Sequence, residues 1–309
     1  MSAAPQIPPL PALKNILFAT DLAEDSQAAI PYIRAIAGEF GSTIHVLHVL
    51  SPEPMLEIPL DIPPELDADR RIALSKLKKL IVTKPFGDAK STITVERGRM
   101  SDVLTRVVEG QAIDLIVVGT HGRRGLSKVL MGSVAEQIVR ASPCPVLTVG
   151  PHCLEAQAYA VKLETIVFAT DFSASAHHAV EYALSFAKAK HARLIFVHAV
   201  PRTVQVIPSG DELAGESMRI YDEIEAGELV RSRDEMARLI RSETMRGWQA
   251  EAIIESGTPA EVILAAALKK RADLIVMGAH HSATASHIPW ATASTVACSA
   301  PCPVLTVRS

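Results

Sequence analysis

Lys14-Asn-Ile-Leu-Phe-Ala-Thr-Asp21 returns, 150 residues later, as Glu164-Thr-Ile-Val-Phe-Ala-Thr-Asp171. The echo continues along the chain. Thr43-Ile-His-Val-Leu-His-Val49 is answered by Arg193-Leu-Ile-Phe-Val-His-Ala199, and Ile113-Asp-Leu-Ile-Val-Val-Gly119 by Ala272-Asp-Leu-Ile-Val-Met-Gly278. Both halves close on one string, Pro143-Cys-Pro-Val-Leu-Thr-Val149 and Pro301-Cys-Pro-Val-Leu-Thr-Val307. A repeat at this period means one folding unit written twice. The two units are read as residues 1–150 and 151–309, with the boundary from Gly150 onward. The offset grows from 150 to 159 by Gly278, so the second copy carries about nine extra residues after its second strand. The proline-rich stretch Ser51–Leu66 reads as a long loop, and Pro201–Glu216 as its counterpart.

Short Val/Ile/Leu runs alternate with helix-length segments. In the first copy, strands are expected at Asn15–Ala19, Thr43–Leu50, Ser91–Arg97, Asp114–Gly119 and Val146–Val149. Helices are expected at Asp25–Phe40, Asp67–Thr83, Ser101–Gln111 and Gly132–Ala141, the third capped by Ser101-Asp102. Such alternation argues βαβ units: two tandem, open-twisted, parallel five-stranded sheets with helices on both faces, Rossmann-like. The composition agrees. The 309 residues are 48% hydrophobic but only 4% aromatic, so strands buried on both faces draw on Ala, Val, Ile and Leu.

Several classes are excluded. Thirty-one basic against 34 acidic side chains leave no footprint for nucleic acid or an anionic membrane. Four cysteines make no disulfide framework, and no stretch of 18 apolar residues exists. The start, MSAAPQIPPLPALK, has neither the charged nor the apolar region of a signal peptide, so a cytoplasmic address is expected. Cys144 and Cys302 read as packing residues, and Cys153 as the exposed thiol.

Ligands of open parallel sheets bind beyond the carboxyl ends of the strands. There the first copy places Ala19-Thr20-Asp21, His48-Val49 and Gly119-Thr-His-Gly122, followed by Arg123–Met131 and then Gly132-Ser133 opening a helix. Gly119 and Gly122 admit close backbone approach, and Gly132-Ser133 offers unpaired N–H groups to an anion. Arg123, Arg124 and Lys128 add positive charge. Asp21 either accepts from a ribose hydroxyl, holds Mg²⁺, or caps the helix that follows. No phosphate-binding loop of the GxxxxGK type and no GxGxxG is present.

The run Gly119-x₂-Gly122-x₉-Gly132-Ser133, with Asp21 and the His48-Val49 strand end, resembles the universal stress protein family, over nearly the whole chain as a tandem pair. That resemblance implies a fold similar to adenine-nucleotide-binding α/β proteins (adenine nucleotide α-hydrolase-like) and ATP as ligand, with Mg²⁺ as a companion. It also implies a residue set: Ala19, Thr20 and Asp21 on the ribose and adenine side, and Val49 at adenine. Gly119, His121, Gly122 and Arg123 would then meet ribose and phosphates, with Gly132, Ser133 and Val134 on the phosphate tail. It further implies pairing through the last strands, here within one chain as a pseudo-dimer, with a homodimer of chains as a further option.

The second copy departs from the motif. Gly278 and Asp171 remain, but His281 answers Gly122, Gly132-Ser133 aligns with Ala291-Thr292 or Trp290-Ala291 according to where one gap falls, and Pro289-Trp290 intrude, so the helix-opening glycine is missing either way. It reads as degenerate for ATP. His177, His178, His198, His280, His281 and His287 raise a metal site, which needs three or four ligands in tetrahedral reach; His198 matches His48 and points instead to a fold role. No residue is assigned as catalytic. A nucleotide-dependent switch, a slow ATPase or autophosphorylating protein, and a structural, ligand- or metal-binding stress module remain open.

Overall fold

A computed structural model describes residues 12–23, 25–51, 67–120, 131–153, 161, 163–202, 211–244, 250–279 and 289–308. The first repeat holds β1 (Asn15–Ala19), α1 (Ile30–Phe40), β2 (Thr43–Leu50), α2 (Ala68–Val82), β3 (Ser91–Arg97), α3 (Met100–Gly110), β4 (Leu115–Gly119), α4 (Ser133–Ala141) and β5 (Val146–Val149). The second holds β6 (Thr165–Ala169), α5 (Ala174–Lys190), β7 (Arg193–Val200), α6 (Asp211–Thr244), β8 (Ala250–Ser256), α7 (Pro259–Lys270), β9 (Leu274–Ala279), α8 (Pro289–Ser299) and β10 (Val304–Arg308).

The expected strands are all present. The two parallel five-stranded halves are joined into one sheet of order β3-β2-β1-β4-β5-β10-β9-β6-β7-β8. Every neighbouring pair is parallel except β5–β10, which is antiparallel, with Leu147 opposite Leu305 and Thr148 opposite Val304. The Thr148 hydroxyl donates to the Val304 carbonyl at 3.2 Å across this seam. The seam covers two edges that would otherwise carry unpaired N–H and C=O groups. Helices reinforce it: Phe40 meets Phe186 edge-on at 5.6 Å, and Lys190 pairs with Glu39 at 2.5 Å.

Alternation along each strand divides the interior into two cores that both run through the seam. Ile16 and Phe18 face α1, α2, α5 and α6; Leu17 and Ala19 face α3, α4, α7 and α8. All seven phenylalanines lie in the first core, and the second is aliphatic apart from methionine and cysteine. An Asp held in both copies fixes strand register. Asp114 accepts the Lys14 and Asn15 N–H groups at 2.7 and 2.8 Å, and Asp273 accepts those of Glu164 and Thr165 at 2.8 and 2.9 Å.

Four local expectations change. α3 is capped by Arg99, not Ser101-Asp102: after Gly98 at φ 155° the helix begins one residue early, at Met100, which places Asp102 in its first turn, where the helix dipole favours a carboxylate. The loop expected over Pro201–Glu216 ends sooner, because α6 starts at Asp211; its run of Glu, Leu, Ala, Met and Arg favours helix. Helix α6 has 34 residues against 15 in α2, so the extra length of the second copy went into helix. Cys153 is buried, 2% exposed, beneath Tyr32, and burial pushes its thiol up to about 12; Cys144 is the partly exposed one.

Gly278 is demanded by packing. A Cβ there would stand 2.7 Å from the Ser175 carbonyl carbon and the Ala176 nitrogen, at the start of α5. Gly278→Ala is therefore expected to lower stability by about 1–3 kcal/mol in urea unfolding. Gly38→Ala, in an exposed helical position with open space around it, is expected to raise it by about 0.5–1 kcal/mol.

Candidate functional site

Strand order turns back between β1 and β4, with β2 and β3 on one side and β5 on the other. The crevice beyond their carboxyl ends is where such sheets take ligands. The structure brings Ala19, Thr20, Asp21, Val49, Gly119, Gly132, Ser133 and Val134 to that end of the first repeat. His121, Gly122 and Arg123 lie outside the described residues.

The floor of the crevice is a turn closed by its own side chains. Thr20 Oγ1 accepts from the Leu22 N–H at 3.0 Å, and Asp21 Oδ1 accepts from the Ala23 N–H at 3.1 Å. Ser26 Oγ donates to the Ala23 carbonyl and lies 2.8 Å from Thr20 Oγ1. Since Ser26 has one proton and gives it to Ala23, Thr20 is the donor in that pair. Its hydroxyl thus belongs to the turn. The turn forces Leu22 to φ 67°, a region a leucine rarely visits. His48 Nδ1 lies 2.8 Å from the Thr20 carbonyl; a carbonyl only accepts, so Nδ1 carries the proton.

The second repeat builds the same floor. Phe172 N–H donates to Thr170 Oγ1 at 3.0 Å, Ser173 N–H to Asp171 Oδ1 at 3.1 Å, and His198 Nδ1 to the Thr170 carbonyl at 2.8 Å. Phe172 takes φ 60°, and its ring lies 4.4 Å from that of His198. A strained turn present twice belongs to the fold, and so does the His48/His198 pair, as its matched position indicated. Of the other histidines in the metal reading, His177 Nδ1 bonds the Ser173 carbonyl and His178 Nδ1 the Arg308 carbonyl, while His280, His281 and His287 lie outside the described residues. Among the described residues no three His, Cys, Asp or Glu side chains gather to hold a metal.

The repeats part company at the opening of the fourth helix. In the first, Gly132 caps α4 at φ −59°, ψ 144°, with no side-chain bond to the first turn, and Ser133 and Val134 are exposed. That backbone suits any residue, and as a helix cap glycine ranks with Thr, a few tenths of a kcal/mol behind Ser, Asp and Asn. In the second, counting back from the shared Pro-Cys-Pro puts Trp290 opposite Gly132, and α8 already starts at Pro289, which has no N–H to offer. Gly119 occupies the strand position of Gly278, on the side of the sheet where the helix after β1 packs.

Sequence reasoning missed one cluster at this rim. Arg97, at the end of β3, bonds both carboxylate oxygens of Asp67 at 3.0 Å and the Ser51 carbonyl at 3.1 Å. It therefore ties together the residues on either side of 52–66. Only the position of a lone Arg at a strand's carboxyl end hinted at it; the second repeat has Ser256 there. The Arg70 N–H, joined by the Arg97 guanidinium, holds the Asp67 carboxyl below the ordinary carboxylate range. A lowered folded-state pKa means stability present at neutral pH and lost as pH falls through it. Asp67→Asn should therefore lower Tm at pH 7, with the gap to wild type closing below the ordinary carboxylate value of 3.8; a calorimetric pH series checks this.

The universal stress protein family model matches residues 12–150 and again 162–308. A universal stress protein of Methanocaldococcus jannaschii is 32% identical over 141 residues, 44% of this chain and 81% of that protein. A universal stress protein of Mycolicibacterium smegmatis is 24% identical over 310 residues, covering 95% of this chain and 97% of that one. The crystal structure of a universal stress protein from Archaeoglobus fulgidus superposes with TM-score 0.64 at 22% identity, over 95% of this chain and 98% of that one. The chain belongs to the universal stress protein family, as a tandem pair of its domains.

Proposed function

We propose that this tandem universal stress protein binds one adenine nucleotide, ATP with Mg²⁺, in its first repeat and acts as a nucleotide-dependent stress regulator in the cytoplasm. The units are residues 1–150, which carry the site, and 151–309, which serve as the structural partner. The carrying observation is Gly132. Its backbone is open to any residue and Ser, Asp or Asn would cap the helix slightly better; a glycine there supports the reading because it leaves room for a ligand beside the first-turn N–H groups. The glycine that both repeats keep at the end of the fourth strand is accounted for at Gly278 by packing, whereas Gly122 and Gly132 have no counterpart in the second repeat.

In this reading Gly132, Ser133 and Val134 present first-turn N–H groups to the phosphates, and Gly122 and Arg123 complete the cradle. Ala19, Thr20 and Asp21 supply the ribose side through the turn described above, and His121 belongs to the ribose and phosphate set. Val49, half-buried at the end of β2, offers main chain to the adenine edge. Bound nucleotide would favour whichever arrangement of the chain binds it more tightly. A switch needs no more than that differential affinity. No described carboxylate pair is set to activate water, so binding rather than turnover is the function the residues support best. Among the described residues no helix is long and apolar enough to cross a membrane.

The decisive variant is Gly132→Asp, which improves the helix cap and sets a carboxylate where phosphate would lie. Its Tm should equal or exceed wild type while its affinity for Mg·ATP, by titration calorimetry, falls at least tenfold, about 1.4 kcal/mol. Wild-type protein denatured fresh from the cell should release about one adenine nucleotide per chain, read by mass spectrometry. Unchanged affinity in the variant overturns the site. No carried nucleotide together with no Tm shift on adding Mg·ATP overturns the function.

A further inference from the structure

Two helices that the nucleotide reading leaves unused, α2 and α6, occupy equivalent places at opposite ends of the sheet and on the same face. Their lengths differ in a telling way. At 1.5 Å per residue, α6 runs about 51 Å against about 22 Å for α2. Helix α6 packs on β7 and β8, and among its described side chains the buried ones, Ser232 and Met236, lie in its C-terminal half. Ahead of them, Ile220, Glu223, Ile224, Gly227 and Glu228 fall at helical spacing on one outward face. Ile220 is 52% and Ile224 45% exposed. From Arg219 to Arg231 there are four carboxylates against two arginines, and Arg231 pairs with Glu228 on the same helix.

Helix α2 is the chemical converse. It carries five basic side chains and one carboxylate, Asp69. Arg71, Leu74, Ser75, Lys78, Lys79 and Val82 line a shallow groove along one side of it. Val82 is 80% exposed, and Leu74 is half-buried in the groove wall. Apolar positions thus stand among cations on α2 and among carboxylates on α6, at the same repeat. An exposed isoleucine pair on an acidic helix and a basic groove partly lined by Leu74 and Val82 are complementary surfaces.

We infer that the occupant of the α2 groove is the α6 overhang of a second copy of this chain. Ile220 and Ile224 lie toward Leu74 and Val82, and Glu223 and Glu228 toward Lys78 and Lys79. Gly227 leaves the α6 face flat at mid-contact. Because each chain has both surfaces at opposite ends of one face, a two-fold axis makes the contact twice and closes the assembly as a dimer. Specificity comes from the divergence of the repeats: α2 against α2 or α6 against α6 sets like charge against like.

The test is sedimentation velocity on the full chain with two charge reversals, Lys78→Glu/Lys79→Glu and Glu223→Lys/Glu228→Lys, at four exposed positions outside the nucleotide site. Wild type is expected to dimerise at about 0.05 M salt and to dissociate at about 0.5 M, where charges are screened. Each variant alone should be monomeric, with dissociation constant raised at least tenfold and an unchanged far-ultraviolet spectrum. An equimolar mixture should restore the dimer, because both contacts then again join opposite charges. A monomeric wild type, a dimer that survives either reversal, or folded variants whose mixture stays monomeric would each overturn the assignment. Carbodiimide linkage of Lys78 or Lys79 to Glu223 or Glu228 between wild-type chains is the second reading; its absence in a dimer that does form counts equally against it.

Discussion

The antiparallel pairing of β5 with β10 is the contact on which the rest of this molecule depends. Each five-stranded half, alone, would end on an apolar strand of four or five residues, buried on both faces and unpaired along one side. Joined, the two ends satisfy each other, and the helical layers close over the seam without interruption. The interior is therefore divided by sheet face rather than by repeat: one aromatic core and one aliphatic core, each drawing side chains from both halves. The halves are separable as sequence and inseparable as packing.

That arrangement explains how the copies were free to drift apart at their crevices. Everything that builds the crevice floor is also part of the fold: the Thr-Asp turn, the left-handed residue after it, the histidine that holds the threonine carbonyl, and the glycine under the first helix. These are kept twice. Gly132 and the rim tie of Arg97 to Asp67 and Ser51 have no counterpart in the second repeat, which has Trp290 and Ser256 instead. A repeat thus supplies an internal control for reading a site, since what both copies share answers to packing, and what one copy alone retains asks for another explanation.

Much of the fold was legible because the signals were local and repeated. Strand limits matched at Asn15–Ala19, Thr43–Leu50, Ser91–Arg97 and Val146–Val149, where β-branched runs stop at Gly, Pro or polar residues. What was illegible depended on tertiary context. The burial of Cys153 follows from Tyr32, 121 positions earlier, lying over it. The reassigned start of α3 turns on the backbone at Gly98, and the length of α6 on an overhang that no neighbouring strand requires. Of the candidate site, the residues on β1, β2 and β4 were readable from strand ends alone. Arg97 was not, because its partners are brought to it by the crossover from β2 to β3.

The seam has a further consequence for how the protein is made. Thr148 and Val304, which bond across it, are 156 residues apart. At ribosomal rates of about 5–20 residues per second, roughly 8–30 s separate the emergence of β5 from that of its partner. During that interval the first repeat can fold only into a half-sheet with an open apolar edge, the kind of edge that recruits strands from other chains. Crowded polysomes translating this message would bring many such edges together at once. The final strand is then less an ending than a stopper, and its arrival sets when a nascent chain stops being adhesive.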